Sequence, residues 1–224
     1  MKETHCEPAK NTCEQRKLLP AEAQRLGKLL SILFWLFIPS AIATIMTSNN
    51  MSDLAPAIFI TGNILCVACS VIYGIILLQM ACTEIRYRFA GICSLLYSVV
   101  TIPIIILSIP VQLSAGTLIF SIIQTVFAFA FVYTEYTAHA SLLSGIDDNL
   151  SRKWFCLWKW YFGSDIVIFC SLFFMLVSPI LGILLFLVSG IALIVISILK
   201  LVYLYRTAKI FRKYADTQNS ENII

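Results

Sequence analysis

Apolar residues fill most of this chain in long unbroken blocks, and short polar or charged segments separate the blocks. Several blocks approach or exceed the roughly 20 residues that a helix needs to cross about 30 Å of hydrocarbon. They lack the strict alternation of apolar and polar positions that marks a transmembrane β-barrel, as the run Leu181 to Leu199 illustrates. The pattern therefore predicts membrane-spanning helices.

The blocks predict an all-α membrane protein, a six-helix transmembrane bundle over residues 29–205. The predicted spans are Leu29 to Thr47, Pro56 to Cys82, Phe89 to Ile109, Ser114 to His139, Asp165 to Ser178 and Leu181 to Tyr205. The last two come from one run, Ile166 to Leu199, which is too long for one straight crossing and just long enough for two. Ser178, Pro179 and Gly182 interrupt this run and predict a tight external hairpin.

The composition favours lipid over water as the main solvent of this chain. Hydrophobic residues make up 59% of its 224 residues and charged residues only 12%, and the mean hydropathy is +0.88. A soluble core of this size could not bury so much apolar surface. The composition therefore excludes an ordinary soluble domain and makes the lipid bilayer the first expected partner.

The lysine and arginine residues predict the orientation of the bundle. With six spans, all 16 of them fall on one side of the membrane. Six lie in the N-terminal tail, two between the second and third spans, three between the fourth and fifth, and five at the C-terminal end. Because cytosolic loops carry an excess of these residues, we predict a multi-pass plasma-membrane protein with both termini in the cytosol. Five spans would scramble this segregation, so the charges independently support the hairpin.

Basic segments flank the predicted bundle on its cytosolic side. Residues 1–28 are a predicted cytosolic tail that ends in the start of a juxtamembrane helix, and residues 206–224 are a basic and then polar tail. Residues 150–162 predict an interfacial helix, because basic and aromatic side chains alternate there next to two spans. Its expected anchors at the membrane interface are Trp154, Trp158, Trp160 and Tyr161. We expect anionic lipid headgroups to bind this side, and no nucleic acid.

A recurring motif raises the hypothesis of three helical hairpins in parallel orientation. Each outward-running span has a serine, an aromatic residue three positions later, and a proline eight or nine positions after the serine. The three sets are Ser31, Phe34 and Pro39; Ser94, Tyr97 and Pro103; and Ser171, Phe174 and Pro179. The fourth and sixth spans also share Val-Tyr followed after three residues by Thr-Ala, which the second span lacks. Chance explains the motif about as well, so both interpretations stay open.

The clearest candidate site is a polar stripe on the fourth span. It consists of Thr117, Ser121, Gln124, Ala128, Glu135 and His139. These residues recur at helical spacings, so their face is expected to point into the bundle. Two interpretations are open: close packing between helices, or a polar cavity or permeation path. The candidate cavity residues are Asn63, Ser121, Gln124, Glu135 and His139.

Glu135 and His139 come late in the fourth span, at a depth that predicts a position near the cytosolic interface. A charge there escapes most of the penalty for insertion at the centre of the membrane. We expect Glu135 to form a structural ion pair with Lys200 or Arg206.

The cysteines raise the question of redox chemistry. Cys66 and Cys69 in the second span have the spacing of a redox dithiol, but the predicted external connections contain no cysteine to exchange electrons with them. The chain also contains no phosphate-binding glycine loop, zinc-type His/Glu helix or serine nucleophile motif. We therefore predict no enzyme, cofactor or metal site, and keep membrane thiol-redox catalysis as a minor alternative.

The sequence favours a transport-related or accessory membrane component without naming a substrate. The competing interpretation is a membrane interaction or regulatory protein of the immunity or assembly type, with a protein partner that the sequence does not identify. The two predict different sensitive residues. A transporter should depend on Gln124, Asn63 or Glu135. The interaction protein should depend on the basic residues Arg206, Lys209, Arg212 and Lys213.

Overall fold

The computed structural model describes residues 18–47, 55–108 and 115–221, and these residues form an all-helical fold. The six helices are α1 Pro20–Met46, α2 Pro56–Met80, α3 Arg86–Ser108, α4 Ala115–Leu143, α5 Asp148–Val177 and α6 Pro179–Glu221. Each predicted span falls within or closely overlaps a helix of its own. The predicted all-α fold class is confirmed.

Five of the helices are long and apolar enough to cross a membrane. The qualifying segments are Pro20–Met46, Ala57–Met80, Ile119–Leu143, Asp148–Val177 and Pro179–Gln218. Over the residues that the structure describes, α3 is not among them. Large apolar side chains are exposed on these helices, most strongly beside the turn between α5 and α6, where Leu176 is 85% and Ile180 is 81% exposed. Such a surface belongs against lipid, which indicates a membrane-embedded protein.

The six helices form a ring in chain order. Each helix packs mainly against the helices before and after it, and α6 closes the ring on α1. At this closure the two helices are antiparallel: Gly27 lies against Arg212, and the rings of Phe34 and Tyr205 are 5.8 Å apart. The start of α1 and the end of α6 therefore lie at the same end of the ring, which we call the terminal end. The opposite end is the far end.

Proline and aspartate set several of the helix starts. The first residue of α1 is Pro20, and α2 and α6 also begin with proline. Proline suits this position because its missing N–H would have no partner there. Asp147 caps α5, since its carboxylate accepts a 2.9 Å hydrogen bond from the backbone N–H of Leu150.

The fifth helix differs from the sequence prediction in length. Residues 150–162 are the first half of α5 rather than an interfacial helix of their own. No proline separates them from the predicted span, and the Ser164 hydroxyl bonds to the Trp160 carbonyl at 2.9 Å inside the same continuous helix. Ser178 alone separates α5 from α6, so the predicted hairpin over 178–182 contracts to one residue outside the helices.

The sixth helix also extends beyond its predicted span. Residues 206–221 continue α6 instead of forming a separate tail. Ala208, Phe211 and Ala215 recur about one turn apart and are buried in the same cluster as Leu26 of α1. This packing supplies the apolar contacts that hold the helix together past the predicted membrane boundary.

The threefold hairpin hypothesis receives mixed support. Pro39 and Pro103 lie inside α1 and α3, whereas Pro179 is the first residue of α6, so the three prolines do not occupy equivalent places. Thr137 and Thr207 are both buried, and each hydroxyl bonds to the carbonyl of the tyrosine four residues earlier, at 2.8 and 2.7 Å. Such bonds are common within single helices, so the repeat stays a hypothesis.

Candidate functional site

A fully buried carboxylate, that of Glu135 in α4, lies at the centre of a polar network. Its Oε2 accepts a 2.8 Å hydrogen bond from the Nζ ammonium of Lys200 in α6. Its Oε1 accepts a hydrogen bond from the Tyr73 hydroxyl of α2 and lies 3.7 Å from Nε2 of His139. The predicted ion pair is therefore confirmed with Lys200 as the partner, and Glu135 is fully buried inside the bundle.

His139 extends the network to two further helices. Its Nδ1 lies 2.8 Å from the Tyr87 hydroxyl of α3, and its ring stacks on Trp154 of α5 at 4.4 Å. The indole N–H of Trp154 donates to the Thr207 hydroxyl of α6 at 3.2 Å. We call Tyr73, Tyr87, Glu135, His139 and Lys200 the ionic network. Its members and Trp154 connect α2 through α6 near the terminal end of the ring.

The contacts of the ionic network offset the free-energy cost of moving two charged side chains out of water. Removal of a carboxylate and an ammonium from water costs on the order of several kcal/mol per ion unless each finds a partner with good geometry. Glu135 has the ammonium and a hydroxyl, and Lys200 also lies 5.3 to 5.8 Å from the ring centres of Tyr73, Phe131 and Tyr136. Aromatic faces stabilise a cation at such distances. The charge pair is thus held in place from several sides.

A cavity of about 290 Å³ adjoins the ionic network. Residues of α1, α2, α3, α4 and α6 line it. A surface groove touches two neighbouring helices of a ring, whereas this cavity touches five, so it lies in the interior. Its polar lining consists of Ser40, Cys69, Ser70, Tyr73, Ser94, Tyr97 and Lys200. The remaining lining is aliphatic and aromatic, which is the usual composition of a small-molecule site.

The ionic network closes the cavity on the side of the terminal end. On α2 the cavity residues Cys69 and Ser70 precede Tyr73, and on α3 Ser94 follows Tyr87. Because α2 runs toward the terminal end and α3 runs away from it, the cavity residues on both helices lie farther toward the far end than the network residues do. On α4, which also runs toward the terminal end, the cavity residue Ala128 precedes Glu135 and so lies farther toward the far end. Tyr73 and Lys200 belong to both, so these two residues form the cavity floor on that side.

A second cavity of about 600 Å³ lies between α4 and α5 and shares Tyr97 and Ala128 with the first. Gln124, Tyr161 and Asp165 are among its polar lining residues. The shared residues put the two cavities next to each other. Val126 and Phe169 in the lining of the second cavity are exposed, so that cavity opens at the outer surface between α4 and α5.

The sequence-predicted cavity residues separate into three groups. Glu135 and His139 belong to the ionic network. Gln124 donates a 2.9 Å hydrogen bond to the Thr101 hydroxyl of α3 and lines the second cavity. Asn63 donates to the backbone carbonyl of Phe59 in its own helix at 2.9 Å, and Ser121 is exposed. None of the predicted five lines the interior cavity, although Ala128 of the same α4 stripe does.

The predicted membrane anchors also differ from one another. Trp154 is fully buried against His139, so its ring meets protein rather than headgroups. Trp158 is half-buried and stacks on Phe162, with ring centres 5.6 Å apart. Trp160 is 64% exposed, as an anchor at a membrane surface would be, and Tyr161 is half-buried. The helical period of α5 turns successive aromatic residues to different sides.

The remaining candidate chemistry is sparse. Cys66 and Cys69 are free thiols, and Cys69 is buried in the wall of the interior cavity. Within the described residues, no group of three or more His, Cys, Asp or Glu side chains could hold a metal ion.

Sequence reasoning missed two tyrosines of the ionic network and one of its supports. Tyr73 shares a helix face with Asn63 and Cys66, a weak signal that does not name Glu135 as its partner. Tyr87 stands between two arginines at the start of α3, where the sequence indicates a membrane-surface residue. Trp154 was expected among headgroups. A charge within an apolar span predicts a partner of opposite charge, as for Glu135 and Lys200, whereas the partner of a tyrosine or tryptophan carries no such signal.

Comparison of the chain with protein-family models, with curated proteins and with solved structures found no match.

Proposed function

We propose that this protein crosses the plasma membrane six times, with both termini in the cytosol. The five qualifying helices support this, and so does α3, which packs between α2 and α4 in the ring. Its 23 residues extend about 34 Å at 1.5 Å per residue, enough to cross the hydrocarbon. The lysines and arginines of the described helices all lie toward the terminal end, which supports a cytosolic position for that end.

We further propose that the protein binds a small molecule in its interior cavity, as a transport-related component of the membrane or an accessory to one. The observation that carries this proposal is a half-buried lysine that lines a cavity inside a bundle of apolar helices and pairs with a fully buried carboxylate. Bundle interiors are normally closely packed, and ionisable residues within membrane spans are expensive and mark functional sites. A purely structural bundle would need neither the cavity nor the charge.

The lining defines the class of ligand. A volume of about 290 Å³ is room for about ten water-sized groups, at roughly 30 Å³ each. An ammonium has three N–H donors, and Lys200 uses one of them on Glu135. The ligand is therefore a small, partly apolar molecule with an acceptor group, such as a carboxylate or carbonyl, for Lys200. Hydroxyl groups of Ser40 and Ser94 offer further hydrogen bonds at the cavity wall.

The first experiment is labelling of single cysteines with a membrane-impermeant thiol reagent in intact cells. A cysteine-free background carries Ser40→Cys or Ser94→Cys in the cavity wall. Ser189→Cys is the matched control, because Ser189 is a buried serine of α6 outside the cavity lining. Ser52→Cys reports the external side, and this residue lies outside the described ranges.

The proposal predicts that the two cavity positions and Ser52 react while Ser189 stays silent. Labelling of Ser52 alone would mean that the interior is sealed from outside. That result would contradict the transport-related function and favour the interaction or regulatory protein. Labelling of Ser189 as strongly as the cavity positions would mean that the bundle itself is open, and would remove the cavity as the explanation.

A further inference from the structure

A second candidate site lies at the terminal end, where α5 and α6 form a groove of about 250 Å³. Basic side chains converge there from both helices: Lys153 of α5 and Arg206, Lys209 and Lys213 of α6. Asp147 and Asn149 complete the polar lining. We call this feature the α5–α6 groove. It is separate from the interior cavity, since the two share no lining residue.

The three basic residues of α6 follow one another at spacings of three and four residues. This spacing puts them on one face of the helix, where like charges repel and destabilise it. None of the ion pairs that the structure forms within its described residues involves Lys153, Arg206, Lys209 or Lys213. Four cationic side chains and the single carboxylate of Asp147 give the groove lining a net charge of +3, which a bound anion would partly neutralise.

The acidic residues beside the groove are engaged elsewhere. The Asp147 carboxylate accepts the backbone N–H of Leu150 at 2.9 Å, and the Asp148 carboxylate accepts the backbone N–H of Gly145 at 2.8 Å. Both act as caps at the turn before α5, and within the described residues neither forms an ion pair with the basic side chains. The start of α5, with its positive dipole end, adds to the positive potential of the groove.

We propose that the α5–α6 groove binds a phosphate group, either the headgroup phosphate of an anionic phospholipid or that of a soluble phosphorylated small molecule. A phosphate presents several acceptor oxygens and suits recognition by Arg and Lys donors from more than one direction. The groove lies at the basic end of an apolar bundle, where anionic headgroups collect. Its buried floor residue Leu150 gives the site an apolar side for the glycerol backbone or an organic group.

The test uses the full chain purified in an uncharged detergent. Two probes carry the phosphate: dioctanoyl phosphatidylglycerol and glycerol 3-phosphate. Dioctanoylglycerol, with the same acyl chains and no phosphate, is the control. A ligand at concentration L that binds only the folded state stabilises it by RT ln(1 + L/Kd), so the dependence of the unfolding temperature on ligand concentration yields Kd.

The groove variant is Lys153→Gln with Lys209→Gln, and the matched control is Lys28→Gln with Arg88→Gln. Lys28 and Arg88 are exposed basic residues at the same end of the ring, on α1 and α3, so both variants lose the same net charge. Two cations near a phosphate should together change Kd by about 25-fold. Replacement of the two groove lysines with arginine keeps the charge and should keep the affinity, which separates lost binding from damage to the fold.

Binding of either phosphate probe, weakened in the groove variant and retained in the control variant, supports the proposal. The lipid probe alone would identify a phospholipid as the ligand, and glycerol 3-phosphate alone would identify a soluble ligand. The proposal is overturned if neither probe binds, if dioctanoylglycerol binds as well as the phospholipid, or if both variants lose affinity equally. Failure of this site leaves the interior cavity untouched, because the two tests use different residues and readouts.

Discussion

The ion pair between Lys200 and Glu135 allows a prediction that separates a paired charge from an unpaired one. Lys200→Met removes the ammonium and keeps a side chain of similar length. Among the described residues, Glu135 then keeps only the Tyr73 hydroxyl as a hydrogen-bonding partner, with His139 nearby, and it remains fully buried. The double variant, Lys200→Met with Glu135→Gln, removes both charges and leaves a neutral side chain that can still accept the tyrosine hydrogen bond.

The two variants should differ widely in stability. Loss of one partner of a buried ion pair costs about 3 to 5 kcal/mol, because the other charge stays buried and uncompensated. Replacement of both partners by neutral groups of similar size is often close to neutral. At about 2 to 4 °C per kcal/mol for a chain of this length, Lys200→Met should lower Tm by on the order of 10 °C. The double variant should recover most of that loss.

The assay is thermal unfolding of purified protein in detergent, followed by intrinsic tryptophan fluorescence. Trp154 is a useful reporter because it stacks on His139 of the ionic network. Lys28→Met, at an exposed position of α1, is the matched control and should leave Tm nearly unchanged. Equal Tm values for Lys200→Met and the wild type would refute the reasoning. So would a double variant less stable than the single one, because the Glu135 carboxylate would then stabilise the fold even without Lys200 instead of being an uncompensated charge.

Three further predictions concern packing, hydrogen bonding and orientation. Gly91→Ala should destabilise the protein by about 1 to 3 kcal/mol through overpacking, because the new Cβ would lie 2.9 Å from the backbone carbonyl oxygen of Gly74. Gly190→Ala is the control: its Cβ meets open space, so it should be neutral or slightly stabilising in the same unfolding assay. Thr207→Val should cost about 1 to 3 kcal/mol, because the buried indole N–H of Trp154 loses its acceptor, and should change the tryptophan emission. A single cysteine at the exposed Cys82 should react with an impermeant reagent only in inverted vesicles.

Each of these predictions has a result that would contradict it. Equal effects of the two glycine substitutions would mean that α2 and α3 do not approach closely at Gly91. An unchanged emission spectrum and Tm in Thr207→Val would mean that the hydrogen bond contributes nothing. Labelling of Cys82 in intact cells, with no labelling of Ser52→Cys, would reverse the proposed orientation of the whole bundle.

The sequence alone was sufficient for the local architecture. Backbone polar groups in lipid must be satisfied within a helix, so a long apolar block predicts a helix without knowledge of its neighbours. All six predicted blocks became helices, including the pair on either side of Ser178. The predicted helix ends were less accurate, since α5 begins at Asp148 and α6 runs to Glu221. Packing of the polar segments extends both helices beyond the apolar blocks.

The candidate site depended on the tertiary structure. Tyr73 meets Glu135 across 62 positions of the chain, Lys200 meets it across 65, and Tyr87 meets His139 across 52. The helical period shows which residues share a face, but not which helix that face meets, and only the ring order of the six helices decides this. Asn63 and Ser121 had the same local signal as Glu135 and took no part in the ionic network. The sequence thus determined the six helices and the clustering of lysine and arginine toward the terminal end. Packing of the helices determined which charge is buried and where the cavity lies.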